Sequence, residues 1–230
     1  MNKLLLIALF YLASCSPVES SKGTENTNST QDIPAFCIEQ VSKEVFEFAK
    51  KEYVEKLLRD TLSYKKQNRI ITLPLTSNSN ARRVFKDSIQ GLEDENRKEY
   101  SYLGQLKEID YYLVSVNYWE HFEVLLIDKK SGNSYTVWSV PLLSPNNKFI
   151  AAILPYGLEG EPVGIQILSV DKTNYNQINK VIEIDQRTWN PIDFVWENDN
   201  SIILKVTAIP DFSKGEKESK EYKFVRLKIR

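Results

Sequence analysis

The chain has 230 residues, with 30 Lys+Arg against 31 Asp+Glu and a formal charge of −1. That balance sets up no strong field for nucleic acid or an anionic surface. A hydrophobic content of 42% and an aromatic content of 11% suit a globular chain with a real core, built as one ordinary domain or two small ones. Only two cysteines are present, Cys15 and Cys37, so a C-x-x-C pair or a cysteine-rich zinc cluster is excluded by count.

The N-terminus reads MNKLLLIALFYLASCSP. Lys3 is a short positive region, and Leu4 to Leu12 is an apolar run too short for a membrane span, which needs ~20 residues. Its length and flanks are those of a secretory signal peptide over residues 1–14. Leu12-Ala13-Ser14-Cys15 resembles the lipobox of bacterial lipoproteins. The resemblance implies cleavage before Cys15, acylation of its sulfur and amine, and a chain held in the cell envelope by lipid. Each buried CH₂ contributes ~0.8 kcal/mol, and two or more acyl chains make such attachment stable where one does not. In proteobacterial lipoproteins a residue other than Asp after the cysteine, here Ser16, usually implies the outer membrane, so the resemblance favours the outer over the inner membrane and leaves the leaflet open. With Cys15 lipidated, no intramolecular disulfide is possible, and Cys37 in IPAFCIEQV reads as a small buried hydrophobe.

Residues 15–33 are lipidated cysteine plus a polar stretch, SPVESSKGTENTNSTQ, with almost nothing to bury; it reads as a flexible tether. Residues 34–68 turn helical. Ile38, Val41, Val45 and Phe48 recur at three- and four-residue steps, and Ala49, Tyr53 and Leu57 extend the stripe. Residues 69–230 form an antiparallel β domain. Arg69–Leu75 and Arg82–Lys86 are strand candidates around the turn Ser77–Asn80, and Asp87–Tyr100 reads as irregular. From Ile109 onward the strands come at short, regular spacing: 111–118, 122–128, 135–138, 149–154, 164–170, 180–184, 202–208 and 222–229. Lys129–Asn133 supplies a hairpin tip with Gly132 free to take positive φ.

Two junctions in this half look alike, VPLLSPNNKFIAAI from Val140 and PIDFVWENDNSIIL from Pro191, with Ser144–Lys148 set on Trp196–Asn200 at an offset of 52 residues. Each has a proline, apolar residues, a polar turn and an apolar strand. Pro141, Ser144, Pro145, Lys148 and Ala151, with Asp128 and Gly132 before them, resemble the WD40-like blades of TolB-type β-propellers. Asn146 and Asn147 stand where those blades usually carry Asp and Gly. The later copy keeps Pro191 and Asp199. The resemblance covers Ile109 to Arg230, about half the chain, and carries no catalytic motif. It implies blade-like antiparallel sheets and a protein-interaction platform. The two to three blade units counted are fewer than a closed ring uses. The fold expected is therefore mainly β, an incomplete or small propeller or a sandwich, preceded by an amphipathic helical segment that covers an exposed edge or face.

His121 is the chain's single histidine, so a Ser-His-Asp or Cys-His arrangement would have to use it. No G-x-S-x-G elbow and no H-E-x-x-H pattern accompanies it, and it reads as a hairpin residue beside Trp119. Glu120, Glu123, Asp128, Asp193 and Glu197 are possible partners in a carboxylate pair, whose spacing a sequence does not reveal. The aromatics carry more information, since exposed rings stack on sugars or anchor proteins. A binding rim of Trp119, His121, Tyr156, Trp189 and Trp196 is expected, with Pro155–Pro162 as an exposed loop. The sequence thus reads as an envelope lipoprotein that binds an envelope protein, with no nucleic acid, cofactor, metal or catalytic residue assigned. The alternatives are a glycan-binding lipoprotein using its tryptophans and a carboxylate-dependent hydrolase.

Overall fold

Apolar runs of period two pair with their neighbours in the chain and build a series of small antiparallel sheets. The computed structural model describes residues 36–88, 96–156, 161–171, 177–209 and 221–230. Cys15, the signal-like segment and the tether lie outside these residues, as do parts of the Asp87–Tyr100 stretch and of the Pro155–Pro162 loop. The chain opens with β1 (Phe36–Val41), α1 (Lys43–Glu52), β2 (Leu57–Leu58), β3 (Ile70–Pro74) and β4 (Arg82–Lys86). A first sheet follows with β5 (Glu99–Leu106), β6 (Tyr111–Asn117), β7 (Phe122–Asp128) and β8 (Ser134–Val137), in the order β2-β5-β6-β7-β8. A second holds β9 (Leu142–Leu143), β10 (Phe149–Leu154), β11 (Gly164–Asp171) and β12 (Gln177–Asp185) in simple sequence. A third holds β13 (Trp189–Asn198), β14 (Ser201–Ala208) and β15 (Lys223–Ile229), and its fourth strand is β1. The first strand therefore pairs with the last, from Phe36↔Ile229 to Val41↔Phe224.

These sheets stack face to face in an open series. Leu113, Leu126 and Val137 of the first sheet meet Ile150, Ala152 and Leu168 of the second. The other face of the second, with Ile153, Ile165 and Ile167, meets Trp196, Leu204 and Leu227 of the third. Alternation along β10 sends Ile150 and Ala152 one way and Ala151 and Ile153 the other. A strand buried on both faces has no polar face to show, which explains why Phe149–Leu154 is apolar throughout. The two outer faces of the stack are capped. Phe46 and Ala49 of α1 cover Val195, Ile203 and Phe224, with the Phe46 and Phe224 ring centroids 5.2 Å apart. At the other extreme, Ile71, Leu73 and Phe85 of the β3–β4 hairpin cover Tyr102, Tyr112 and Val114.

The helix is shorter than the sequence pattern indicates. Among the described residues of the 34–68 segment, which are 36 to 68, only Lys43–Glu52 are helical, and Phe36–Val41 is a strand. The stripe of Ile38, Val41, Val45 and Phe48 crosses a strand, a junction and a helix, and its spacing is coincidental. Pairing with β15 supplies six residues of β1 with a ladder that a helix there would forgo. Phe48 consequently points outward. The strand Glu99–Leu106 falls partly in a stretch read as irregular. Trp196 lies inside β13 and not in the turn after it. Cys37 is buried as expected, yet its sulfur is disulfide-bonded and not free. No helix among the described residues is long and apolar enough to cross a membrane.

Two contacts align the ends of the sheets. The Tyr156 amide, just past β10, donates to Asn190 Oδ1 at the start of β13 (2.6 Å). Trp189 in turn pairs with Ala208 at the end of β14. The ends of the second strands β10 and β14 thus lie on one side. Tyr111, at the start of β6, lines a single groove with Gln177 and Ile178, at the start of β12. Because Ile178 pairs with Val170 at the far end of β11, the starts of β6 and β10 share the opposite side. All three sheets therefore point the same way. The β6–β7, β10–β11 and β14–β15 connections leave from one end of the stack, and the β5–β6, β9–β10 and β13–β14 turns from the other.

Candidate binding end

The β6–β7 hairpin carries Tyr118, Trp119, Glu120 and His121 at its tip. The Tyr118 amide donates to the His121 carbonyl (2.9 Å), which closes the turn. The Tyr118 and His121 rings then stack, with centroids 4.1 Å apart and planes 11° apart. Lys98 Nζ lies 5.7 Å from the Tyr118 centroid, within cation–π reach. The Tyr118 hydroxyl donates to Glu123 Oε2 (3.1 Å). Burial, reinforced by the nearby Glu123 carboxylate, pushes that phenol up to about 12, so it remains a donor at any physiological pH. The imidazole is thus held by a ring stack at an exposed tip, where it shares a depression with Glu120. Trp119 is 44% exposed and Phe122 40%. Tyr118, Trp119, Glu120 and His121 bound a shallow depression of about 300 Å³.

The other expected rim residues divide. Tyr156 is exposed and Trp189 is half-buried against the core between the second and third sheets. Gln186 clasps the turn before Trp189, accepting from the Trp189 amide (3.0 Å) and donating to its carbonyl (2.6 Å). Both residues lie at the same end of the stack as Trp119 and His121. Trp196 does not belong to the rim. It is 1% exposed, its ring stacks on Phe149 and its Nε1–H donates to the Leu142 carbonyl (3.0 Å). The indole fills the gap between two sheets, and that packing partner lies 54 residues away in the chain.

The five acids singled out in the sequence are dispersed. Glu120 and Glu123 sit at the hairpin end, whereas Asp128 lies at the far end of β7, where Oδ1 accepts from the Lys130 and Ser131 amides. Asp193 pairs with Lys50. Glu197 accepts from Arg226 through both oxygens and from Ser201 Oγ (2.7 Å). No group of three or more His, Cys, Asp or Glu among the described residues is arranged to hold a metal ion.

One feature escaped the sequence. A groove of about 690 Å³ opens at the opposite end of the stack, lined by Ser77, Tyr111, Asp128, Asn133, Tyr135 and Gln177 among others. These residues come from the β3–β4 turn, the first sheet and the second sheet, and no spacing in the chain signals their meeting. Comparison with protein-family models, with curated proteins and with solved structures gives no match to this chain.

Proposed function

We propose that this chain is a lipid-anchored envelope protein whose β domain binds a protein partner and catalyses nothing. The anchor rests on the apolar run Leu4–Leu12 and the Leu12-Ala13-Ser14-Cys15 sequence, whose chemistry makes Cys15 the acylated residue. The binding reading rests on one observation, the β6–β7 tip that holds Trp119 and Phe122 out in solvent on a strand pair of the first sheet. Leaving two large apolar side chains in water is a cost that an interface removes. A rigid hairpin presents them with little ordering left to do on binding. Affinity purification of the tagged protein from crosslinked native membranes tests the reading. The expected result is a recurrent protein partner that is lost from the Trp119→Ala/Phe122→Ala variant, while Cys15→Ala releases the chain from the membrane fraction.

A second reading has an observation of its own. Trp119 shares its depression with the Glu120 carboxylate and the His121 imidazole, which can hydrogen-bond sugar hydroxyls beside a stacking face. Retention of the wild-type domain, and not of Trp119→Ala, on immobilised cell-wall glycan would favour it over a protein partner.

A further inference from the structure

The balanced net charge conceals a local separation. From Thr61 to Lys86 the chain carries Lys65, Lys66, Arg69, Arg82, Arg83 and Lys86 and no acid, so all 31 Asp and Glu lie outside this stretch. Much of the stretch is the β3–β4 hairpin, the cap over the first sheet. Its ladder runs from Ile70↔Lys86 through Thr72↔Val84 to Pro74↔Arg82. Ile71, Leu73 and Phe85 point inward, against Tyr102, Tyr112 and Val114. Alternation therefore puts Arg82, Val84 and Lys86 in one row on the outer face, with Thr72 beside Val84.

The row is open, and its charge is not cancelled. Arg82, Lys86 and the intervening Arg83 are exposed, and Val84 among them is 55% exposed. Arg82 Nη1 donates to the Ser79 (2.8 Å) and Ala81 (2.7 Å) carbonyls, which hold the guanidinium without neutralising it. Arg83 Cζ lies 5.3 Å from the Phe85 ring centroid. No ion pair among the described residues uses Arg82, Arg83 or Lys86. The acid next in the chain, Asp87, is buried and accepts from Lys66 Nζ (2.8 Å) and the Tyr100 amide (2.9 Å).

We propose that this face docks on the anionic phospholipid headgroups of the bilayer that holds the anchor. The nearness of a bilayer rests on the lipid-anchor reading above; the face itself rests on the hairpin. Cys15 and Phe36 are separated by 20 residues, so on that reading the bilayer lies within about 70 Å of fully extended chain. Such a span fixes no orientation, and charge supplies one. Anionic headgroups attract the acid-free hairpin and repel the surfaces that carry the acids. Each exposed Lys or Arg at such a surface shifts the docked equilibrium roughly fivefold, and three of them about a hundredfold. Long cationic side chains around one apolar residue suit a fluid headgroup layer, in which phosphates move to the cations and Val84 reaches the apolar depth below.

Fluorescence of the acylated chain reconstituted into vesicles tests this. A polarity-sensitive fluorescent amino acid replaces Thr72 on the hairpin, or Phe48, which is exposed on α1 over the third sheet at the opposite extreme of the stack. The vesicles are phosphatidylcholine alone or phosphatidylcholine mixed with phosphatidylglycerol. The expected result is a blue shift at position 72, with at least fivefold stronger quenching by a lipid-borne quencher, on phosphatidylglycerol vesicles only. High salt should abolish it, as should Arg82→Gln/Lys86→Gln and the harsher Arg82→Glu/Lys86→Glu, and position 48 should stay in water throughout. Equal signals from both positions, a signal from position 48 alone, indifference to phosphatidylglycerol, or retention in both double variants would each overturn the proposal. A shift on adding soluble polyphosphate, with none on the vesicles, would overturn it in favour of a soluble polyanion. The mass of the purified chain reports the acyl groups separately. An acylated chain with no shift keeps the anchor and loses the face. A chain without lipid that shows the phosphatidylglycerol-dependent shift at position 72 on preformed vesicles keeps the face and loses the anchor.

Discussion

Trp119 and Trp196 show how far one residue type can diverge in role. Both follow a strand-like run and precede a polar residue, and the sequence alone gives them equal standing as rim candidates. Trp196 is enclosed between the second and third sheets and donates its N–H to Leu142 across them. Its removal should leave a cavity, and Trp196→Ala is expected to lower stability by about 3–5 kcal/mol in chemical denaturation. Trp119→Ala, at an exposed tip, should stay within about 0.5 kcal/mol of the wild type in the same measurement. Cys37 raises a different residue-scale question. Its sulfur is disulfide-bonded, and the chain has one other cysteine, Cys15. A bond between those two sulfurs and a lipid thioether on Cys15 exclude each other. In acylated protein from native membranes, Cys37 is expected to label with maleimide after denaturation without reductant. Protection of Cys37 there would contradict lipidation. Disulfide formation is then predicted only where acylation is blocked, in exported chain that keeps Cys15.

Elements were legible where one local rule suffices. Strands β4, β7 and β10 occupy the residues that period-two alternation and flanking turns indicate. The repeated junctions at Ser144–Lys148 and Trp196–Asn200 both fall at the first hairpin of a sheet. Legibility failed where a distant partner decides. The strand β1 exists because β15 offers it an edge 183 to 193 residues later, between Val41↔Phe224 and Phe36↔Ile229, and no window around Phe36 contains that information. The candidate site follows the same rule. Trp119, His121 and Tyr156 sit at turns that sequence marks, whereas the burial of Trp196 and the groove at the opposite end depend on sheets meeting across the stack. The β1–β15 seam also yields a pH prediction. The Arg226 guanidinium donates to Glu39 and lowers its carboxyl below the ordinary value of 4.5, with Lys228 adding to the effect and burial opposing it. A carboxyl held below its unfolded value contributes stability that is fully present above about 4.5 and is lost as pH falls through the folded value. The thermal midpoint should therefore drop more steeply for wild type than for Glu39→Gln between about pH 5 and pH 3. Parallel curves would show that the seam owes nothing to this charge.

At the scale of the whole molecule, an open stack poses a problem that a closed ring does not have. Its two terminal sheets each keep an apolar outer face, and an uncovered face invites association with another copy. The chain meets this with unlike caps, α1 over the third sheet and the β3–β4 hairpin over the first. The helix cap is slight. It is ten residues long, and Phe46 and Ala49 are its two buried side chains. Ten residues fall short of what an isolated helix needs for stability in water, so α1 depends on the sheet as much as the sheet depends on it. Phe46→Asp should break this mutual support. A carboxylate cannot replace the ring against Phe224 without losing its water, and detachment of α1 would then bare Val195, Ile203 and Phe224 together. The β13, β14 and β15 strands beneath would still be paired with one another and packed on the second sheet. The expected outcome is a protein that keeps its far-ultraviolet β signal but elutes with at least twice the monomer mass in size-exclusion chromatography with light scattering. Phe48→Asp, on the exposed side of the same helix, should remain monomeric. A monomeric Phe46→Asp with unchanged stability would mean that the third sheet needs no cap.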